Sequence, residues 1–257
     1  MKKLTGILMT LILTLSLAAC GSNDPASVYA SAAKKYHKAE GAAMILTQKM
    51  TLNDGTVTLS SGINGSMKVN MAEGEVTKAA MEGSMDIDMG TGTPMTVPIS
   101  YYFTEGTLYA NMAGTQYKAA MNWAAAADQM GPAVLMLMYL EKEDFQEITM
   151  KEEEEQKVLS FIISADKIEK ITGAVSQWNQ YEAIYGGEGN ISFQSAKGSI
   201  IVKDKYPVSE QLVLTGTVTA GGKTVTVTNE INIQVTTYED VEVSFPDFSS
   251  YQQITNP

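Results

Sequence analysis

Covalent or acid–base chemistry needs a nucleophile, a base or a metal-ligating set, and this chain has few candidates. Its 257 residues include one cysteine, Cys20, and one histidine, His37. All 18 basic residues are Lys, against 29 Asp plus Glu. A serine triad would have to recruit His37 from a helical pattern beside Lys34, Lys35 and Lys38, a poor setting for a preorganised base. We read His37 as a solvated surface residue. One His and one Cys cannot build a zinc set, so neither metal nor cofactor is expected. The G-x-S-x-G, Walker and HExxH patterns do not occur. Asp86 and Asp88 could in principle pair, but alternation puts both on the wet face of a strand. No catalytic residue is expected, and the chain is read as a non-enzyme.

One modification site stands out. Met1 to Cys20 has a basic start at Lys2 and Lys3 and an apolar stretch from Leu4 to Leu17. A membrane span needs roughly 20 apolar residues, so this segment has the proportions of a secretory signal instead. It closes on Leu17-Ala18-Ala19-Cys20-Gly21, which resembles the lipobox of bacterial lipoproteins. The resemblance implies a signal peptide over 1–19 and a diacylglycerol thioether, with palmitate-type acyl chains, on Cys20. Residues 20–27 then form a lipidated tether and 28–257 a single domain. The seven polar residues Gly21 to Ser27 reach at most about 25 Å.

The formal charge of −11 becomes more negative once Lys2 and Lys3 leave with the signal. That argues against nucleic acid, which is held through cationic contacts to phosphate. It also argues against a protein face that adheres to an anionic bilayer. The lipid must therefore supply the attachment, on the extracytoplasmic face of the cell membrane. The sequence names no protein partner.

Stepping from these residues to the segments that carry them, Pro25 to Glu40 has helical spacing at Tyr29, Ala32, Ala33 and Tyr36. Period two follows over Ala42–Leu52, Gly65–Met71 and Val76–Met89, with a turn at Asn53-Asp54-Gly55. Shorter strands are expected over Ile99–Phe103, Leu108–Met112 and Gln116–Ala119. Asn122 to Glu141 reads as a helix capped by Asn122 and broken or kinked at Gly131-Pro132. The acidic run Glu141–Glu155 reads as a solvated turn or strand end. Val158–Ile163 reads as a strand buried on both faces, and Asp166–Tyr181 as a third helix. Strands return over Asn190–Asp204, Val208–Val218 and Thr224–Tyr238. A helix followed by long strands thus occurs twice, a faint internal repeat.

This element order resembles the half-barrel of the LolA-like lipoprotein carriers and the related mycobacterial cell-envelope lipoproteins. Residue by residue the chain resembles more closely a family of uncharacterised monoderm lipoproteins. The blocks that carry this are Tyr101-Tyr102-Phe103, Gly106, Leu108-Tyr109, Asn111-Met112, Gly114 and Tyr117-Lys118. Lys203-Asp204 with Pro207 and Val241-Glu242-Val243-Ser244-Phe245-Pro246 with Tyr251 add to it. The resemblance implies an α+β fold: a strongly curved antiparallel sheet of about eleven strands with about three helices on its concave face. It brings no catalytic residue.

Methionine is abundant, with 16 in the chain. Met44, Met50, Met67, Met71, Met81 and Met85 fall on the dry faces of neighbouring strands, together with Leu46, Val69 and Ile87. Met is flexible and polarizable and repacks around varied apolar partners. These nine residues are the candidate ligand-binding set. Two readings stay open: a groove for a hydrophobic ligand, with lipid the first candidate, or a filled core in a structural or interaction lipoprotein.

Overall fold

The structure, a computed structural model, describes residues 24–130, 136–170, 190–220, 222–239 and 241–254. The expected signal, the lipobox-like end and Cys20 lie outside them. Helix α1 (Pro25–Tyr36) starts where the sequence supplies a start: the Asp24 carboxylate accepts from the Ser27 N–H at 3.0 Å, and Pro25 sits in the first turn. The folded part thus begins three residues before the expected domain start at 28.

Strands β1 (Gly41–Asn53), β2 (Thr58–Ala72), β3 (Glu75–Asp88), β4 (Met95–Thr104), β5 (Thr107–Met112) and β6 (Thr115–Ala120) follow as a meander. Helix α2 (Trp123–Met130) comes next, then β7 (Phe145–Glu153), β8 (Gln156–Ile163), β9 (Asn190–Lys203), β10 (Tyr206–Ala220), β11 (Lys223–Thr237) and the two-residue β12 (Gln252–Gln253). They form one sheet in the order β12-β6-β5-β4-β3-β2-β1-β11-β10-β9-β8-β7. β1 pairs with β11, so the two meanders join edge to edge at the centre. The sheet is not closed; β7 and β12 are its two ends.

The fold class therefore needs correction. The chain is predominantly β, with a mixed sheet of twelve strands, two α-helices among the described residues and three 3-10 segments. It is not an α+β fold with three helices. Of the expected helix over 122–141, Trp123–Met130 is helical and residues 131–135, with Gly131-Pro132, lie outside the described set. Met136–Tyr139 and Lys142–Asp144 are short 3-10 turns. Of the expected third helix, Ala165–Lys170 is 3-10 and residues from 171 to 181 lie outside the described set. The acidic run contains a strand: β7 pairs with β8 through Ile148 and Met150 on the dry face. Its charges occupy the exposed positions. β8 is buried on one face only, with Ser160 exposed. β12 pairs with β6 in parallel, which makes the sheet mixed.

Alternation assigns the two faces. The inner face carries Met44, Leu46, Met67, Met81, Tyr101, Leu212, Ile231 and Ile233, all in one hydrophobic core. α1 lies on it through Tyr29, Ala32 and Tyr36. α2 packs against β3 and β4, with Trp123 edge-on to Phe103 at 5.3 Å. The outer face of β4 and β5 is covered by the C-terminal tail: Phe248 stacks on Tyr109 at 3.7 Å and meets Tyr102 at 5.7 Å.

Candidate functional site

Register sets the candidate residues in rows across the sheet. Val235, Met44, Met67, Met81 and Tyr101 are successive cross-strand partners from β11 to β4. Each is buried in the core. Leu46, Met50, Val69 and Met71 are buried as well. Seven of the nine residues read from sequence thus lie in sealed packing. Met85 and Ile87 are half-buried.

The boundary between the two states is a pair of glycines. Gly65 and Gly83 face each other between β2 and β3 on the inner side. A Cβ on Gly83 would stand 2.1 Å from the Asn64 carbonyl and 2.6 Å from the Gly65 Cα. The backbones approach too closely there for any side chain, as at the tight bends of curved sheets. Above this pair, towards the turn at Glu73-Gly74, the inner face is sealed. Below it, towards the hairpin tips at 54–57 and 89–94, Leu59, Ile63, Met85, Ile87 and Val97 are all half-buried. Met95 is 61% exposed, Met89 64% and Val57 46%. The two tips touch, since a Cβ on Gly90 would stand 2.7 Å from Val57 Cγ1. The lower inner face of β2–β4 is thus an apolar strip open to solvent at its rim.

Leu59, Ile63, Val97 and Met95 were missed in the sequence. Ser60-Ser61-Gly62 disguised the first half of β2 as loop. Pro98 made β4 look as though it began after it, because proline removes a ladder donor. The hairpin at Asn53-Asp54-Gly55 held the signal: a strand starting at Thr58 has Leu59 and Ile63 in phase with Met67.

Polar groups interrupt the inner face at two places. The Gln48 Nε2 donates to the Asn229 Oδ1 at 3.0 Å, and both residues are buried. Among the described residues the Asn229 Nδ2 has no hydrogen-bond partner. Asn229 stands where the Val225, Val227, Ile231, Ile233 alternation calls for an apolar residue. Higher up, the buried Glu210 accepts from the Leu137 N–H at 3.0 Å. The Tyr29 hydroxyl donates to the Leu137 carbonyl at 2.7 Å and meets the Leu140 carbonyl too. Burial, with the Glu210 and Asp144 carboxylates nearby, pushes that hydroxyl well above the ordinary tyrosine range.

His37 is not simply solvated. It caps α1, and its Nε2 lies 2.9 Å from the Met138 carbonyl, with Tyr139 edge-on at 4.9 Å. A cleft of about 1620 Å³ opens beside it, lined by Lys38, Asn70, Tyr206, Tyr238 and Glu242. Its walls are largely polar; of the nine candidates, Met71 reaches it. Asp86 and Asp88 hold turns and strands on the outer face. Asp86 accepts from the Thr96 hydroxyl at 2.6 Å, and Asp88 from the Thr91 and Gly92 N–H groups. Among the described residues no group of three or more His, Cys, Asp or Glu side chains could hold a metal.

No protein-family model matches the chain, and no curated protein does. Solved structures with a low level of similarity to this chain include three proteins. LprF from Mycobacterium bovis has a TM-score of 0.46 at 13% identity, over 88% of this chain and 98% of that one. A DUF1329 family protein from Desulfovibrio piger has 0.28 at 10%, over 88% and 98%. The ywiB protein from Bacillus subtilis has 0.27 at 10%, over 77% and 94%. Similarities at this level say nothing of what the chain binds.

Proposed function

We propose that this chain is a membrane-anchored extracytoplasmic lipoprotein that binds or shields a hydrophobic ligand on the lower inner face of its sheet. The observation that carries the reading is the graded strip. The apolar face is sealed at Met44, Met67 and Met81 and half-open at Ile63, Met85 and Ile87. It ends on an exposed rim at Met95, Met89 and Val57. Scattered apolar side chains are ordinary on a surface, whereas a contiguous patch running into a core marks an interaction site. The chain acts by binding; no group in the strip has a chemical role.

Anchoring follows from Cys20, as the sequence motif implies. Ser27, Val28 and Ser31 of α1 share a cleft with Glu155, Lys157, Val202, Asp204 and Lys205 at the upper rim. Cys20 to Asp24 spans at most about 14 Å. The tether therefore holds the upper rim to the bilayer, and the open apolar rim lies at the other end of the strands. β2 has 15 residues, about 50 Å at 3.3 Å per residue.

The test is native mass spectrometry of the full chain carrying Cys20→Ser, with lipid extraction of what it carries. Acyl-chain ligands are expected on this chain and not on an Ile87→Glu variant of equal melting temperature. A ligand-free chain that takes up no lipid from detergent-solubilised membranes would instead support a filled-core interaction lipoprotein. The sealed methionine row is the observation that favours this second reading.

A further inference from the structure

We propose that the Asn229 carboxamide is the polar anchor of this groove, donating through Nδ2 to the carbonyl oxygen of a neutral acyl ester. The inference rests on the hydrophobic-ligand reading above and adds the class of ligand. Met95, Ile87, Ser61, Met50 and Asn229 are successive cross-strand partners from β4 to β11. Exposure falls along this row from 61% at Met95, through half-buried Ile87 and Ser61, to 2% at Met50 and 0% at Asn229. The row thus runs from the open rim to a buried amide over four strand spacings, about 19 Å.

The Asn229 Oδ1 is satisfied by Gln48, and the Nδ2 is not satisfied. A buried amide donor without an acceptor keeps its desolvation cost, and such groups in folded proteins call for an explanation. An acceptor oxygen brought in on an apolar chain supplies the missing bond and leaves the chain lying on Ser61, Ile87 and Met95. Met50 is the side chain that would have to swing aside. Its unbranched thioether is suited to that.

Charge selects the class of head group. The inner-face positions of β1, β2 and β3 carry no Lys, and the chain has no Arg. The buried carboxylate of Glu210 lies on β10, the strand paired with Asn229's own. An ionised carboxylate brought to Asn229 would meet no counter-charge and would keep its desolvation cost. A neutral ester carbonyl needs one donor, which Asn229 provides.

The test displaces N-phenyl-1-naphthylamine from the full chain carrying Cys20→Ser, using methyl laurate, laurate and tridecane. Methyl laurate is expected to displace the probe at a concentration at least five-fold lower than either of the others. In Asn229→Leu the advantage over tridecane should fall below two-fold, with tridecane itself unchanged. If that variant does not fold, Gln48→Met/Asn229→Leu removes both polar partners together and is read the same way. Equal displacement by ester and hydrocarbon in the parent chain, as a water-satisfied amide would give, overturns the anchor and leaves the groove standing. So does an ester preference that survives in the leucine variants. No binding of the probe or of any competitor overturns the groove as well.

Discussion

The inner face holds methionines in two settings, and truncation separates them. Met44, Met67 and Met81 are buried in the core, so Met→Ala there should cost about 2–5 kcal/mol through lost transfer energy and a residual cavity. Met85 is already half-open, so its truncation creates less new void and should cost under about 1.5 kcal/mol. Thermal denaturation of the four single variants reads the difference. Losses as large at Met85 as at Met81 would place it in packing and remove it from the groove. Tyr29→Phe leaves the Leu137 and Leu140 carbonyls without their hydroxyl donor, and we expect a loss of about 1–3 kcal/mol. Tyrosines also set the alkaline limit. Burial pushes the Tyr101 hydroxyl up to about 12, and burial with the bond to Glu82 does the same for Tyr102. An unfolded tyrosine ionises near 10, so the unfolded chain releases these protons first. The stability they contribute is complete below about pH 10 and disappears as pH rises towards 12. Urea midpoints measured from pH 8 to 12 should fall across that window, and Tyr102→Phe should flatten part of the decline.

At the scale of elements, the Gly65–Gly83 pair and the C-terminal tail govern how the sheet is shaped and closed off. Gly83→Ala sets a Cβ 2.1 Å from a backbone carbonyl. The strands must shift, at a cost we expect to be about 1–3 kcal/mol. Circular dichroism melts would report it, and an unchanged melting temperature would show that the close approach is dispensable. The tail behaves as a strap. Phe245, Phe248 and Tyr251 cover Tyr102 and Tyr109, and Asn70 Nδ2 donates to the Val241 carbonyl at 2.8 Å. Stopping the chain after Glu239 should expose this aromatic cluster and the edge of β6, an aggregation hazard for an unpaired strand. Light scattering during refolding would detect it, and a monodisperse truncated chain would contradict it. The bounds of β1, β3, β9 and β11 were legible in the sequence because alternation over a long strand is a strong signal, whereas the first parts of β2 and β4 were not. β7 was hidden because its exposed positions hold Glu147, Glu153 and Lys151, and a dense charge run looks like loop.

For the whole molecule, the prediction concerns orientation. With Cys20 lipidated, a fluorophore at Lys205→Cys on the upper rim should be quenched by a headgroup quencher in vesicles. One at Thr56→Cys on the lower rim should not. Equal quenching would mean that the domain lies flat or is held by another face. Cys20→Ala should abolish membrane retention in fractionation through a salt wash, since a net charge of −11 opposes adhesion to an anionic bilayer. On the proposed anchoring, the open rim would face away from the bilayer.

What the sequence determined by itself was local. A lipobox-like end to an apolar leader sets an expectation for Cys20, and two-residue alternation gives strands and the dry-face methionines. Asp24 with Pro25 starts α1, and Asn122, whose Oδ1 accepts from the Ala125 N–H at 2.9 Å, starts α2. Each of these depends on neighbours along the chain. The tertiary structure decided the joining of β1 to β11, the parallel addition of β12, and which dry-face residues are sealed and which half-open. It also placed Asn229 within hydrogen-bond reach of Gln48, 181 residues away in the chain, with one amide donor lacking a partner among the described residues. Periodicity says which face of a strand is apolar, but exposure depends on what another part of the chain lays over it. That is why Met81 and Met85, identical in type and pattern, have different environments.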